Sequence, residues 1–429
     1  MHAVLTNFGS TGDALPFVAL AVELRRRGHR AVLALPPAFA GLAAAQSLPF
    51  VPVGPDLRRE QDEVNRAMTE TPDVVGSPEH LASLLRPLAL ALPQMTDDLL
   101  AACAGADVIV GGRTQAAARI VHDRTHLPFA SVLIEHAASG GHPAFQEAVR
   151  RVVNPARARA QLPPLQNPLV DGLSDALVLH AMSRHVRPAA ALPPHHHVVG
   201  YFFLEHGLFE PEVALHDFLV AADPPVVFTF GSMAHRDPAA LARLFVEAAR
   251  RARRRALIQA GPAASFEPPP WARLAGALPH GWLFARAACV VHHGGAGTTA
   301  SALRAGVPQV VVPHAYDQLT WGQIVHDRGC GPAPIAYPEL TADRLGGAID
   351  EALSNTATRA RAEALSALVR GEQGAGRACQ LIEEFVGRVG LVDERTDQHG
   401  DAAGPPEAAA DGAARRRLFE RRRASERDD

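Results

Sequence analysis

Short apolar runs alternate with longer amphipathic stretches along most of this chain. Residues 2–7 read as a buried strand, and residues 15–27 carry apolar positions at helical spacing until Gly28 stops them. Further strands are predicted at 31–35, 50–53, 108–110 and 129–134, and the short runs 178–179 and 197–199 end this first series. Strands separated by helices predict a parallel sheet with helices on both faces. Residues 55–100 are less regular, Pro-punctuated, with helical patches such as 80–92. Residues 203–225 show no strand pattern and end in Asp223-Pro224-Pro225. A strand at 226–230 then restarts the alternation, with a helix at 241–254 and a strand at 256–259. The restart predicts a first domain over 1–205, a linker over 206–222 and a second domain over 223–388 that ends in a helix at 378–388. Residues 389–429 are rich in Asp, Glu, Arg, Ala, Gly and Pro and are expected to be a disordered tail.

Composition narrows this α/β reading. A chain of 429 residues is long enough for two domains. The net charge of −3 gives no basic field for nucleic acid. The chain contains no Lys, so its basic side chains are 42 Arg and 21 His. Cys103, Cys289, Cys330 and Cys379 are scattered, with no C-x-x-C pair, which fits a reducing cytoplasm and neither a disulfide frame nor a zinc site. No long uncharged apolar run is present, so a membrane span is not expected, although contact with a membrane surface stays open. The N-terminus starts on a strand rather than a signal segment, and the expected location is cytoplasmic.

The chemistry concentrates between residues 289 and 318. A strand at 289–291 meets a turn containing Gly294, Gly295 and Gly297, and a helix is expected from about Thr298 to Gly306. Free N–H groups at such a helix start, backed by its dipole, favour an anion such as a phosphate. Glycines keep side chains out of its way. His293 can add a hydrogen bond or a positive charge. A second strand at 309–312 delivers Asp317 and Gln318, which lie beside the first loop if the two strands are parallel neighbours. Diphosphate on one side and sugar hydroxyls on the other is the profile of a sugar nucleotide. Each residue also has a plain structural reading: His292 as a core residue, Thr298 and Thr299 as helix caps, Asp317 as the N-cap of the helix containing Trp321, and Ser232 as part of a turn.

Three motifs in order carry a resemblance. They are F-G-S-T-G-D-A-L-P-F (Phe8 to Phe17), F-T-F-G-S-M (Phe228 to Met233), and H-H-G-G-A-G-T-T followed by D-Q (His292 to Gln318). Together they resemble family 1 inverting glycosyltransferases of the GT-B fold, and the wording is closest to the sterol and bacterial natural-product branch. The resemblance spans about residues 1–388. It implies two Rossmann-like domains facing a cleft, with the acceptor in the first and an NDP-α-sugar in the second. It also implies that 55–100 and 136–175 line the acceptor side and that the last helix crosses back to the first domain.

By resemblance, Asp13 is the general base, whereas plant relatives place a His there with a supporting Asp. The stretch Gly111-Gly112-Arg113-Thr114 offers no such Asp, which fits a direct Asp mechanism. On position alone, Asp13 reads as the N-cap of a helix from Ala14. The donor residues are expected to be Ser232, His293, Gly295, Gly297, Thr298, Asp317 and Gln318. Many relatives stack a Trp on the nucleobase, but Ala277 stands there, so UDP and dTDP both remain open. No cofactor and no metal is expected, since no D-x-D pair occurs in the catalytic portion and His195, His196 and His197 on one extended run do not converge on an ion. The expected partners are a UDP- or dTDP-sugar and a lipophilic acceptor such as a sterol, polyketide, carotenoid or hydroxy-lipid. Two other readings are a sugar-nucleotide epimerase and a degenerate transferase that only binds.

Overall fold

The structure, a computed structural model, describes residues 1–70, 81–82, 85–135, 143–186, 192–205, 209–231, 233, 235, 237–259, 266–315 and 317–399. Ser232, residues 136–142 and the expected tail from 400 to 429 therefore lie outside the described residues. Two fully parallel sheets carry the fold. The first runs in the order β3-β2-β1-β4-β5-β6-β7. Its strands are β1 (His2–Thr6), β2 (Arg30–Leu35), β3 (Phe50–Pro52), β4 (Val108–Gly112), β5 (Phe129–Leu133), β6 (Val178–His180) and β7 (His196–Val198). The second runs β10-β9-β8-β11-β12. Its strands are β8 (Val226–Thr229), β9 (Ala256–Gln259), β10 (Ala272–Ala275), β11 (Cys289–His292) and β12 (Gln309–Val311).

Strand order decides where ligands can collect. From β1 the chain goes to β2 on one side, and β4 later joins β1 on the other. Likewise β8 is flanked by β9 on one side and β11 on the other. Each sheet thus has a switch point where neighbouring connections leave in opposite directions and open a crevice at the strands' carboxyl ends. In the first sheet that crevice holds the loop after β1. In the second it holds the loops after β8 and β11.

The central strands β1, β4, β8 and β11 are buried along their length because both faces of each sheet are covered. Val4, Ile109 and Val121 share one core with Leu92 and Leu99 from the Arg86–Ala102 helix. In the second half Phe228 and Phe245 stack at 4.9 Å inside another core. Burying each such Phe contributes roughly 1.5–3 kcal/mol. A further cluster joins Met182, Val186 and Tyr201 to Leu303, Trp321 and Leu365, so segments following the two sheets pack on one another.

Element boundaries differ from expectation at helix starts. The first helix begins at Thr11 rather than 15, because Ser10 caps it, and it accepts Pro16 in its second turn. The helix expected at 241–254 is Pro238–Arg251, started by Asp237, whose side chain accepts the Ala240 N–H. Within the irregular 55–100 stretch, Arg58–Glu70 and Arg86–Ala102 are helical, the second continuing through Pro93. The final helix runs Gly374–His399, past the expected end at 388 and into the stretch read as tail. No Pro or strong stop signal interrupts it before Gly400, and extending an existing helix costs little. Residues 1–383 form one compact unit. Within it, Arg27 and His29, just past the first helix, hold Glu383 of this last helix. Among the described residues no helix is long and apolar enough to cross a membrane.

Candidate functional site

The loop after β1 presents Asp13 as the third residue of the Thr11–Arg26 helix. Its Oδ2 accepts the Ser10 backbone N–H at 2.6 Å and the Ser10 hydroxyl at 2.8 Å. Ser10, not Asp13, is therefore the N-cap. Gly9 has φ +148°, and a Cβ there would stand 2.4 Å from Asp13 Oδ2. Glycine at position 9 thus makes the space the carboxylate occupies. The buried Asn7 amide donates to the Asp13 carbonyl at 3.0 Å, and its Oδ1 accepts the Thr114 hydroxyl at 3.0 Å. These bonds tie the loops after β1 and β4 together across the switch point.

Asp13 is half-buried: solvent reaches it from the cleft, and protein encloses it elsewhere. Burial pushes its carboxyl up to about 6, against the two Ser10 bonds, which favour the ionised form. The charges of Glu135 and Asp317 push in the same direction as burial. Asp317 follows a strand of the second sheet, so the two halves of the molecule meet electrostatically at Asp13.

On the other side, the last residue of β11 and the one after it are histidines with different jobs. His292 is fully buried. Its Nε2 lies 2.9 Å from Gln309 Oε1 and must donate, while its Nδ1 accepts the Gly294 N–H at 3.1 Å. It shapes the turn, as expected of a core residue. His293 faces the opposite way. A Cβ at Gly295 would come within 2.4 Å of the His293 ring, and one at Gly231 within 2.9 Å. Gly294, at φ +88°, packs where a Cβ would meet the Gln318 carbonyl oxygen at 2.7 Å. These glycines make room for the imidazole and the neighbouring loop. Only Gly297 fits the expectation of a residue kept small in front of a ligand, since a Cβ there meets nothing within 4 Å.

His293 is 9% exposed, and its buried Nδ1 has no hydrogen-bond partner among the described residues. Burial, reinforced by His292, His314, His280 and His235, holds its proton affinity well below the usual imidazole value. A lowered proton affinity favours the neutral ring, which can still offer a hydrogen bond. The helix behind it runs Ala296–Ala305, two residues earlier than expected, with Gly295 as N-cap. Its first N–H groups lack partners within the helix. Thr299 Oγ1 donates to the Gly295 carbonyl at 3.0 Å, so this hydroxyl serves the helix, while Thr298 lines the cleft.

Because β12 is the parallel neighbour of β11, its loop lies beside the first. Asp317 stands at the N-cap position of the Gln318–Asp327 helix without a side-chain capping bond, and its Oδ2 accepts the indole N–H of the fully buried Trp321 at 2.7 Å. Gln318 Oε1 accepts the backbone N–H groups of His314 at 2.8 Å and Ala315 at 3.2 Å. Both residues therefore brace the loop that carries them. Ala277 is exposed and offers no ring. Trp282 packs edge-on against Phe209 at 4.9 Å, with the Arg286 guanidinium 4.5 Å over its ring. His196 meets His180 at 3.0 Å, and among the described residues no group of three or more His, Cys, Asp or Glu side chains is disposed to hold a metal ion.

One cavity of about 2850 Å³ collects these residues. Asp13, His293, Gly295, Gly297, Thr298, Asp317 and Gln318 all line it. Two further liners were not singled out from sequence as site residues: Arg113 after β4, and Glu135 after β5, whose Nε and Oε1 approach to 2.7 Å. Their sequence signal is only position, just past the ends of β4, which flanks the switch point, and of its neighbour β5.

The model for the C-terminal domain of erythromycin biosynthesis protein CIII-like proteins matches residues 259–373. O-mycaminosyltylonolide 6-deoxyallosyltransferase of Streptomyces fradiae is 31% identical over 441 residues, which cover 93% of this chain and 99% of that protein. Sterol 3-beta-glucosyltransferase UGT80A2 of Arabidopsis thaliana is 30% identical over 89% of this chain, which spans 65% of that longer protein. In fold, the chain is similar to the glycosyltransferase SnogD from Streptomyces nogalater, with a TM-score of 0.66, 21% identity, and coverage of 90% of this chain and 99% of that one. At 31% identity over nearly the full length of a named transferase, with two parallel-sheet domains around one cleft, the chain belongs to the family 1 glycosyltransferases of GT-B fold and is a glycosyltransferase.

Proposed function

We propose that this enzyme moves a hexose from a UDP- or dTDP-α-sugar to a hydroxyl of a lipophilic small molecule, with inversion at the anomeric carbon. One observation carries the reading: a half-buried carboxylate and a helix start suited to an anion border the same cleft, each at the switch point of its own sheet. Asp13 takes the acceptor's proton as its oxygen attacks the anomeric carbon from the face opposite the diphosphate. The bond to the diphosphate breaks, and the growing charge is met by the N–H groups at 295–298 and by the His293 ring. Asp317 and Gln318 are assigned to the hexose hydroxyls and Ser232 to the diphosphate. The acceptor assignment is supported by the apolar side of the cavity, which Leu57, Val64, Leu81, Leu85, Phe145 and Val149 line. It also agrees with the acceptors named for the two relatives, a tylonolide glycoside and a sterol.

Incubation with UDP- and dTDP-sugars against lipophilic alcohols, read by mass spectrometry, tests the reading. The anomeric coupling constant of the product then reports stereochemistry. An α-linked product from an α-linked donor would remove the single-displacement mechanism. We further propose that no metal is needed, because the helix dipole, N–H groups and His293 meet the diphosphate charge. Turnover is expected to survive excess EDTA. Complete loss on chelation, restored by Mg²⁺ or Mn²⁺, would overturn this.

A further inference from the structure

None of the roles above uses the polar side chains that join the ends of β1 and β4. The paired register of these strands ends at Thr6 and Gly111. Past that point side chains take over the joining. Gln115 Nε2 donates to Thr6 Oγ1 at 3.2 Å, and both residues are buried. Asn7, only 4% exposed, spends its carboxamide on both loops. Its Nδ2 donates to the Asp13 carbonyl at 3.0 Å, and its Oδ1 accepts the Thr114 hydroxyl at 3.0 Å. The same hydroxyl also reaches the Phe8 carbonyl. A Cβ at Gly112 would stand 2.0 Å from Asn7 Oδ1, so glycine there leaves the carboxamide its place. An apolar side chain could fill this volume without needing any partner. A buried carboxamide needs partners, and once they are supplied it fixes one arrangement of the groups around it.

Asp13 is thus held in two frames. Ser10 fixes the carboxylate against its own helix start. Asn7 fixes that helix start against the loop after β4, which brings Arg113 and Thr114 to the cleft wall. An acceptor held by the walls must present its oxygen within hydrogen-bond reach of the carboxylate and in line with the anomeric carbon. A misplacement of about 1 Å costs such a reaction up to ~10²-fold. Water is small and is not held by the acceptor walls, so its attack on the donor tolerates a displaced base better.

We propose that Asn7, held by Thr114, is a positioning residue for glycosyl transfer: it fixes Asp13 relative to the acceptor wall, so that the base serves the bound acceptor rather than water. The inference rests on Asp13 being the base. Asn7→Leu keeps the volume and removes both bonds. Thr114→Val, at an exposed position, keeps the shape and removes only the hydroxyl, and Thr114→Ser restores it.

Two rates are compared for each variant: transfer to the acceptor, and release of nucleotide from the donor when no acceptor is present. In Asn7→Leu the kcat of transfer is expected to fall by about 10-fold or more, with donor affinity by calorimetry unchanged. Hydrolysis falls less, so the ratio of hydrolysis to transfer rises. Thr114→Val moves the ratio the same way by a smaller factor, and Thr114→Ser returns it to the wild-type value. A merely structural role would lower both rates together. An unchanged kcat in both variants, or hydrolysis that falls in step with transfer, overturns the proposal. Should Asn7→Leu fail to fold, the ratio in Thr114→Val decides. Asp13→Asn distinguishes the two failures. If it abolishes transfer while Asn7→Leu and Thr114→Val keep the wild-type ratio, only the role of Asn7 falls. If Asp13→Asn retains turnover, the base assignment falls first.

Discussion

Asp13→Asn is expected to cut turnover by about 10² or more, the usual scale for a lost general base, while leaving donor affinity nearly unchanged. The asparagine carbonyl can still accept both Ser10 bonds, so the turn and the helix start are preserved. What disappears is the ability to take a proton. The wild-type profile should rise with pH through an acid limb near 6, because burial lifts the Asp13 carboxyl to about that value and only the ionised form is a base. At pH 7, one unit higher, about nine in ten molecules carry the charge. In the Asn variant the limb should vanish together with most of the rate. Activity close to wild type would leave Asp13 as a side chain that merely closes the first turn of its helix.

Much of this site was legible before the fold was known, because its parts are local. G-S-T-G-D after a strand, and H-H-G-G-A-G-T-T between a strand and a helix, each place their key residue within a few positions of a strand end. The parallel pairing of β11 and β12 was an inference from alternation, and it holds. What could not be read was anything set by the order of the other strands. Glu135 lines the same cleft as Asp13 only because β5 lies beside β4 and β4 beside β1. The individual reasons for the glycines were also hidden. Gly9 yields to the Asp13 carboxylate, and Gly231 and Gly295 yield to the His293 ring, contacts that depend on backbone geometry rather than composition. Helix starts were misplaced wherever a cap lay upstream of the apolar pattern, as at Ser10 and Gly295. The periodic face begins a turn later than the helix does, so periodicity alone dates the start too late.

The neutral state of His293 changes how its removal should be tested. A charged side chain would attract diphosphate over a distance and lose that pull in salt. In the proposed role, a neutral ring enclosed by Gly231 and Gly295 would act only on contact, through one hydrogen bond to a charged oxygen. Such a bond contributes roughly 1.5–3 kcal/mol. His293→Ala is thus expected to weaken binding of free UDP or dTDP by about 10-fold to 100-fold, and the sugar nucleotide equally, since both present the diphosphate. Asp317 requires a gentler substitution. Its Oδ2 satisfies the indole N–H of Trp321, and removing that acceptor costs roughly 1–3 kcal/mol of stability on its own. Asp317→Asn keeps an acceptor for the indole and changes only the charge and the hydrogen-bonding pattern offered to the hexose. It is expected to spare the free nucleotide and to weaken or re-sort donor sugars. Calorimetric titration with nucleotide alone and with sugar nucleotide separates the two residues. Equal losses for both ligands in both variants would contradict the division of the donor site into a phosphate side at His293 and a sugar side at Asp317.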